Sequence, residues 1–191
     1  DSPTTRDLGV LFDQTLSFSG HVASIAGRAN GIVNLIFRVF TSRDPLIYSK
    51  AFSVYARPIL EFSSPVWNGI SKRDSDRLES VQRSFSTRVL RRCGLRMRDY
   101  EARLSLLRLS TLASRRTLLD VSFAQSVVHG SHFCPVLQLV PPNPHYPTRD
   151  SLRLSTLAKP SKVLSRAPPQ RISSSWNSLP LSTRKLKGDA F

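Results

Sequence analysis

Histidine and cysteine side chains that could bind a metal ion are concentrated in the second half of the chain. His129, His132 and Cys134 form a His-x-x-His-x-Cys pattern, and His145 lies further on. A standard zinc finger needs a pair of closely spaced cysteines, and that half of the pattern is missing here. His129 also precedes Gly130 at the end of a predicted helix, where a histidine commonly interacts with the last carbonyl groups. We therefore predict that this chain holds no metal ion.

Serine and acidic side chains form no recognisable catalytic pattern. No Gly-x-Ser-x-Gly elbow and no glycine-rich phosphate loop occurs. Catalysis by two metal ions needs carboxylates that converge on the cations, but the closest acidic pairs are two residues apart and do not share a helix face. We therefore predict no catalytic residue and no cofactor in this chain. The two acidic pairs are Asp74 with Asp76 and Asp99 with Glu101.

The charge of the chain is strongly positive and unevenly distributed. Lys and Arg number 28 against 13 Asp and Glu, which gives a net charge of +15, and 22 of the 28 basic residues are Arg. Residues 1–70 carry a net charge of +1, whereas residues 71–120 and 121–191 carry +7 each. Guanidinium groups match phosphate oxygens and stack on bases, so this excess favours a nucleic-acid partner. The alternative is an Arg excess that comes from genomic base composition.

Basic residues are densest around the third predicted helix, where we expect a surface for nucleic acid. Contacts of this kind bind phosphates and give affinity without sequence information. The alternative is an ordinary solvated helix face, but the acidic residues nearby are too few to neutralise it. The candidate contacts are Arg28, Arg38, Arg77, Arg83, Arg88, Arg91, Arg92 and Arg96.

Apolar periodicity predicts five helices that would position these side chains. Residues 8–12 form a short apolar run that predicts a strand or extended segment. A first helix follows a cap at Ser17 or Ser19, and a second starts at Asp44-Pro45. Pro58 and Pro65 are expected to kink or end this second helix.

Three further helices are predicted between residues 71 and 130. One follows a cap at Ser71 or Ser75 and stops at Cys93-Gly94. A shorter one covers residues 100–109, and Ser110 can cap the last, which Gly130 ends. The side chains of the last helix expected to face inward are Leu112, Leu118, Leu119, Phe123 and Val127.

Proline dominates the end of the chain, since nine of its 13 prolines lie in residues 131–191. Such a segment is expected to be largely irregular, with Trp176 as an apolar anchor. The fold class that we predict is mostly α, with about five helices and a Pro-rich C-terminal extension. The predicted domains are residues 1–16, 17–130 and 131–191.

Two observations bear on location. Cys93 and Cys134 are too few for a disulfide framework, which predicts an intracellular protein. No run of eighteen apolar residues occurs, so no membrane span is predicted.

The chain begins with Asp1 and its one methionine is Met97, so we expect it to be a fragment, a processed product or a partial gene model.

Short motifs, taken in order along residues 6–191, resemble the region that follows the catalytic palm in reverse transcriptases of LINE-type, non-LTR retrotransposons. The resemblance is to elements of the Jockey and chicken-repeat kind. Each motif alone is weak, and their shared order carries the resemblance. The motifs are Arg6-Asp7-Leu8-Gly9-Val10, Asp13, Leu16-Ser17-Phe18, His21-Val22, Tyr55 to Asn68, Leu78 to Arg83, Arg115-Arg116, Val128-His129-Gly130, Thr148-Arg149 and Trp176-Asn177-Ser178-Leu179-Pro180.

The resemblance implies a parent enzyme that is an RNA-directed DNA polymerase acting in target-primed reverse transcription. Such a parent would use Mg²⁺ held by palm aspartates, in motifs that do not occur here. This chain would then be the thumb and the region after it, with Leu8 and Gly9 nearest the primer grip. Its implied partners are RNA, RNA–DNA hybrid or DNA and the palm and fingers of the same polymerase. The implied location is nuclear and cytoplasmic.

Two other functions are compatible with the sequence. The chain could be a free-standing basic helical module that binds nucleic acid, or an inactive relic of such an element. Alternatively, it could be a helical scaffold for protein interactions. A scaffold would depend weakly on salt, whereas binding through several phosphates weakens steeply as salt rises.

Overall fold

The computed structural model describes residues 4–130, 134–140 and 151–186. Helices take up most of these residues, which confirms the predicted mostly α fold class. Each of the five predicted helices is present, together with shorter ones that were not predicted. The elements are β1 (Thr4–Asp7), β2 (Val10–Asp13), α1 (Ser19–Val39), α2 (Pro45–Ala51), a π-helical segment (Phe52–Ala56), α3 (Arg57–Glu61), α4 (Ser64–Trp67), α5 (Lys72–Arg92), α6 (Tyr100–Leu106), α7 (Leu112–Val128), α8 (Lys162–Arg166), α9 (Pro168–Asn177) and α10 (Leu181–Arg184).

The chain divides into two compact units. The first unit contains Asp1–Ser63 and Ile70–Arg115, and the second contains Ser64–Gly69 and Arg116–Phe191. The predicted boundaries after residues 16 and 130 do not coincide with this division. The segment 64–69 belongs with the second unit because α4 packs against α9 and the side chain of Asn68 binds Asp120.

A two-stranded hairpin opens the first unit. β1 and β2 pair antiparallel from Thr4 opposite Asp13 to Asp7 opposite Val10. Leu8 and Gly9 form the two-residue turn with φ angles of 43° and 90°, the positive values that hairpin turns require. The predicted extended run is therefore interrupted, because Leu8 and Gly9 belong to the turn and the second strand begins at Val10.

The Asp13 carboxylate controls the connection from β2 to α1. It accepts hydrogen bonds from the backbone N–H groups of Thr15, Ser17 and Phe18 at 3.0, 3.0 and 2.8 Å. Several hydrogen bonds hold the pKa of Asp13 well below its ordinary value, and the one from the Thr15 hydroxyl has the largest effect. The expected serine cap is wrong, because α1 starts after Phe18, whose backbone is left-handed and provides no side-chain cap.

Pro58 does not end the second predicted helix. The backbone continues from α2 through the π-helical segment into α3, and the Arg57 N–H bonds to the Phe52 carbonyl five residues back. A proline inside a helix lacks an N–H and crowds the carbonyl four residues earlier, and a wider turn relieves this crowding. Of the two expected effects, an end of the helix at Pro58 does not occur. The helix ends at Glu61, and Ser63 follows with a φ angle of 53°.

Helices α1 and α5 pack along their whole length and run parallel. The Ser19 hydroxyl donates to Asp74 at the start of both helices, and the Arg92 guanidinium donates to the Phe37 carbonyl near their ends. The two residues of each pair are 55 positions apart in the sequence, and this equal separation means that the helices run in the same direction. The apolar positions predicted for α5 are buried against α1 and the helices that connect the two. These buried residues are Leu78, Val81, Phe85, Val89 and Leu90.

Aromatic rings fill the centre of the first unit. Phe37 stacks on Tyr48 with ring centroids 5.2 Å apart, and Phe52 stacks on Phe85 at 4.4 Å. The buried Tyr48 hydroxyl donates to two carbonyls, those of Phe40 and Ser42, both at 2.9 Å. Burial of these rings supplies much of the apolar area that stabilises the bundle.

The Pro-rich extension contains three short helices, α8, α9 and α10, while more than half of its described residues lie outside them, in line with the expectation of a largely irregular segment. Pro168 and Pro169 occupy the first turn of α9, and Pro180 directly precedes α10. Proline has no N–H to lose at a helix start, so these residues initiate helices. The prolines between residues 141 and 147 lie outside the described residues. The buried core of the second unit contains Val121, Ala124, Leu137, Leu154, Ile172 and Trp176.

The buried face of α7 agrees with the predicted one in part. Leu112 is buried, and Phe123 and Val127 pack against the core of the second unit. Leu118 is 50% exposed, whereas Arg116 and Asp120 are 2% and 1% exposed. An apolar pattern cannot reveal two buried charges, since their burial depends on partners elsewhere in the chain. The helix follows Thr111, whose hydroxyl accepts from the Ser114 N–H at 3.2 Å, so the cap predicted at Ser110 is one residue early.

Among the described residues, no helix combines the length and the apolar character that crossing a lipid bilayer requires.

Candidate nucleic-acid interface

Six exposed residues of α5 lie in one straight line, which we call the α5 row. They recur at alternating spacings of four and three residues, so they share one helix face. The row runs over 18 residue steps, from Arg73 to Arg91, and extends about 27 Å at 1.5 Å per residue. It lies opposite the buried face of the helix. Its members are Arg73, Arg77, Ser80, Ser84, Thr87 and Arg91.

The arginines of the α5 row are available for a ligand. The guanidinium groups of Arg73, Arg77 and Arg91 make no hydrogen bond or ion pair with any residue that the structure describes. The hydroxyls of Ser80 and Thr87 donate to carbonyls within α5, so the short side chains leave open space between the arginines. Three unpaired cations therefore face solvent along one line.

Three predicted arginines of α5 are partly engaged within the first unit. Arg88 donates to the Asn34 side chain at 2.7 Å, with its guanidinium 4.3 Å from the Phe37 ring centroid. Arg92 donates to the Phe37 carbonyl at 2.8 Å. Arg83 lies beside the α5 row, 4.7 Å from the centroid of the Tyr100 ring. These contacts hold α1 and α6 against α5, so the three residues have a packing role.

The remaining predicted residues lie at separate places in the first unit. Arg96 is exposed in the loop after α5, and Arg38 is exposed in the last turn of α1. Arg28 is exposed earlier in α1 and lines a concavity together with Leu8 and Gly9. The structure thus brings Arg28 to the hairpin turn and leaves Arg38 and Arg96 apart from it.

The candidate metal ligands do not come together among the described residues. His129 Nε2 lies 3.0 Å from the Arg184 carbonyl oxygen, and Cys134 is half-buried against the core of the second unit. No group of three potential ligands occurs in the part of the chain that the structure describes. His132 and His145 lie outside the described residues, so the prediction of no metal stays a prediction.

The acidic pairs serve local structure. Asp74 is buried and accepts from the hydroxyls of Ser71 and Ser19 at 2.7 and 2.8 Å. Asp76 pairs with Lys72 on the exposed side of α5 at 3.9 Å. Asp99 caps α6 by accepting from the N–H of Ala102 at 2.7 Å, as an N-terminal carboxylate commonly does.

The Leu78 to Arg83 motif joins three helices of the first unit. The buried Glu79 carboxylate accepts from the Tyr100 hydroxyl of α6 and from the Leu112 N–H at the start of α7, the latter at 3.0 Å. Gln82 donates to Tyr100 at 3.1 Å and to the Ser110 carbonyl at 3.0 Å. Burial and the hydrogen bond to Glu79 raise the pKa of Tyr100, so it stays protonated.

Glu61, in the segment from Tyr55 to Asn68, is paired with two arginines. Its carboxylate accepts from Arg115 at both oxygens, one of them at 3.0 Å, and lies 3.9 Å from Arg57. The hydrogen bond that Arg115 donates to Glu61 raises the pKa of Arg115, while burial lowers the pKa of Arg57. This cluster lies within the first unit and fixes α3 against the start of α7.

A buried polar network joins three segments of the second unit. Arg171 forms two hydrogen bonds to the Asp120 carboxylate at 2.9 and 3.1 Å. Asn68 donates to the same carboxylate at 2.9 Å and accepts from Arg116 at 2.8 Å. Arg171 also donates to the Pro65 carbonyl at 2.7 Å. Buried charges with this many partners are stable, and the network explains why α7 buries Arg116 and Asp120.

Trp176 and Asn177 hold the segment that runs past α9. Trp176 is fully buried and its Nε1 donates to the Leu152 carbonyl at 2.7 Å. The Asn177 amide accepts from the Leu154 N–H at 3.0 Å and donates to the Leu154 carbonyl at 2.8 Å. The expectation that Trp176 is an anchor is confirmed. We call this contact the Asn177 clamp.

Comparison with known proteins gives little functional information. No protein-family model matches the chain. An uncharacterized protein of Caenorhabditis elegans is 26% identical over 130 residues, which cover 68% of this chain and 66% of that protein. The alignment therefore spans just under two thirds of the relative's length. No solved structure matches the chain.

Proposed function

We propose that this chain is the thumb and following region of a LINE-type reverse transcriptase and binds RNA–DNA hybrid, RNA or DNA through the α5 row. The observation that carries the proposal is the line of unpaired arginines formed by Arg73, Arg77 and Arg91. The order of the sequence motifs supports the assignment to this family. The chain itself binds and does not catalyse, because it contains neither of the palm motifs.

The dimensions of the α5 row suit a nucleic-acid backbone. A strand of duplex DNA carries one phosphate per 3.4 Å of helix axis, so several phosphates of one strand come within reach of the row before the strand winds away from it. Guanidinium groups bind phosphate oxygens through two parallel hydrogen bonds, and short hydroxyl side chains let a strand approach closely. Binding of this kind is independent of base sequence.

Substitution of the α5 row tests the proposal. We expect the triple variant Arg73→Gln, Arg77→Gln, Arg91→Gln to bind a 20-base-pair RNA–DNA hybrid more weakly. The dependence of log K on log salt concentration should flatten by about one unit for each lost phosphate contact. Fluorescence anisotropy at several salt concentrations measures both quantities. These three residues are preferred to Arg88 and Arg92, whose loss would also disturb packing on α1.

A matched control separates the row from net charge. Arg43, Arg153 and Arg166 are exposed, lie outside the row and form no side-chain ion pair among the described residues. Their triple replacement by Gln removes the same charge and should leave most of the affinity and slope. Equal effects of the two triple variants, or a weak salt dependence of the unmodified protein, would contradict the proposal.

The proposed family also assigns properties to a larger parent. The polymerase would supply the palm and fingers as partners of this chain and would use Mg²⁺ at palm aspartates, and its location would be nuclear and cytoplasmic. Sequencing the transcript upstream of the Asp1 codon tests this assignment. An open frame with an Ala-Asp-Asp palm motif supports it, and a nearby start codon without a palm indicates a free-standing module or relic.

One observation favours a protein-interaction scaffold as a second candidate. Leu35, Val39 and Tyr55 are 50%, 62% and 58% exposed and line an apolar concavity of about 230 Å³ between α1 and the π-helical segment. Exposed apolar clusters of this kind mark interaction surfaces. A scaffold predicts hybrid binding that neither triple variant changes.

A further inference from the structure

Two arginines converge beside the β1–β2 hairpin in the first unit. Arg6 of β1 and Arg28 of α1 line a concavity of about 340 Å³, together with Ser24 and His21. The same two arginines line an adjoining concavity of about 250 Å³. Neither arginine forms an ion pair with a described residue, and no acidic residue lines either concavity.

The charge state of His21 supports the convergence of the two arginines. His21 is buried, and its Nδ1 accepts from the Leu11 N–H at 3.3 Å. Burial first, and then the positive charges of Arg28 and Arg6, lower the pKa of His21. Both guanidinium groups therefore act on the same histidine, and their positive charges lie around one concavity.

The wall of the second concavity is apolar and includes an exposed aromatic ring. Ile59, Phe62 and Leu8 line it beside the arginines, and Phe62 is 58% exposed. Phe62 Cε1 lies 3.4 Å from the position that a Cβ on Gly9 would take, an ordinary van der Waals distance, so the ring lies against the turn. An exposed aromatic ring beside cations is the combination that single-stranded nucleic acid binds.

The hairpin turn is strained at its most exposed residue. Leu8 has a φ of 43°, which is unfavourable for a residue with a branched apolar side chain, and it is 87% exposed. The turn requires the positive φ, but it does not require a leucine at this position. The exposed side chain of Leu8 lines the rim of the concavity, where a ligand can contact it.

We propose that this double concavity is a nucleotide site in which Arg6, Arg28 and Ser24 bind a phosphate and Phe62 stacks on the attached base. The physiological ligand would be one nucleotide of a nucleic-acid strand, and to that extent the inference rests on the proposed function. The phosphate would displace water between the two guanidinium groups. The base would cover Phe62, with Leu8 at its edge.

Titration with adenosine 5′-monophosphate tests the site without a duplex. In ¹H–¹⁵N spectra of the full chain, we expect the amide signals of Gly9, Ser24 and Arg28 to shift. Adenosine and inorganic phosphate, used as separate probes, should bind more weakly than the nucleotide. The double variant Arg6→Gln, Arg28→Gln should weaken nucleotide binding about tenfold or more, because charge-assisted hydrogen bonds are lost. The double variant Arg43→Gln, Arg153→Gln is the control of equal charge.

Replacement of Phe62 by Ala separates stacking from charge. This variant should keep its affinity for inorganic phosphate and lose about fivefold or more of its affinity for the nucleotide. Equal loss for both probes, or no loss for either, would refute the role of the ring. Shifts spread over the basic surface and abolished equally by the control variant would refute the site altogether.

A second measurement distinguishes a strand from a free nucleotide. The Arg6→Gln, Arg28→Gln variant should also bind the RNA–DNA hybrid more weakly than the control does. If it loses the nucleotide but binds the hybrid normally, the strand assignment is wrong. If the unmodified protein binds the nucleotide but not the hybrid, the function proposed for the α5 row is wrong and the nucleotide site stands by itself.

Discussion

Substitution of Asn177 should unfold the second unit more readily, because its amide is the partner of a buried backbone residue. Leu154 is 1% exposed and forms an isolated bridge with Leu139. The hydrogen bonds of that bridge use the Arg153 carbonyl and the Ser155 N–H. The N–H and carbonyl of Leu154 itself therefore rely on the Asn177 clamp.

The size of the effect follows from two lost hydrogen bonds and two uncompensated groups. In Asn177→Leu the side chain keeps its branching at Cγ, but the Leu154 N–H and carbonyl lose their partners. A net hydrogen bond contributes about 1 kcal/mol, and a buried group left unpaired costs about 1–3 kcal/mol, so we expect the free energy of unfolding to fall by about 2–4 kcal/mol. The exposed Ser174→Ala on the same helix is the control and should change it by less than about 0.5 kcal/mol.

Urea unfolding followed by tryptophan fluorescence measures the stability of the second unit. Both tryptophans, Trp67 and Trp176, are buried in the second unit and report on its unfolding. Amide hydrogen exchange should show Leu154 losing protection in the leucine variant. A loss below about 0.5 kcal/mol together with an unchanged Leu154 exchange rate would refute the clamp.

Asn177→Asp adds a test by pH. The carboxylate can accept from the Leu154 N–H, but its second oxygen repels the Leu154 carbonyl, which raises the pKa of the new carboxyl group in the folded state. The deficit relative to the unmodified protein should be largest above the raised folded-state pKa, shrink as the pH falls through that value, and be smallest below the unfolded value of about 3.9. A deficit that does not depend on pH would show that the amide N–H₂ group has no such role.

Two further predictions concern the hairpin. The depressed pKa of Asp13 means that its ionised form stabilises the fold, so this stabilisation is present above about pH 4 and is lost as the pH falls through the folded-state value. Asp13→Asn should therefore show less acid destabilisation in urea titrations from pH 6 to pH 2, and an acid slope equal to that of the unmodified protein would contradict this role. Leu8→Asn should stabilise the hairpin by about 0.5–1 kcal/mol, because asparagine tolerates the left-handed conformation, while weakening nucleotide binding; unchanged stability would show that the turn is not strained.

The helices of the first unit could be predicted because their apolar residues recur regularly. Along α1 and α5 the buried positions follow spacings of three and four, and Ser71 caps α5 as its position before the helix suggests. The start of α1 could not be predicted in the same way. Its stabilising group is Asp13, five residues before Phe18, and no local cap pattern includes a residue at that distance.

The effect of a proline could not be predicted from its position in the sequence alone. Pro58 was expected to kink or end a helix, and the helix continues past it by way of a π-helical segment. Pro168 and Pro169 were expected to disfavour helix, but both lie where a helix begins. A proline excludes one hydrogen bond at one position, and only the neighbouring backbone decides whether that position lies inside a helix or at its start.

The candidate site was predictable in composition and less so in detail. The density of arginine along α5 is visible in the sequence. The contacts of Arg88 and Arg92 with α1 depend on helix packing, because their partners in α1 lie 54 and 55 positions earlier in the chain. Arg6 and Phe62 were missed as site residues. Both lie in motifs of the resemblance, but no motif pattern brings the two residues together. They meet only because the hairpin and the end of α3 border the same concavity.

The motif residues and the arginines of the α5 row have different roles, so descent and function can be tested separately. Glu61, Glu79 and Asn177 belong to the motifs and contact other parts of the framework. Arg73, Arg77 and Arg91 lie outside the motifs and contact no described partner. Substitution of the first group should therefore lower stability, whereas substitution of the second should lower nucleic-acid affinity with little effect on folding. If the row could be replaced without loss of affinity, the motifs would still describe the framework, but they would no longer indicate what it binds.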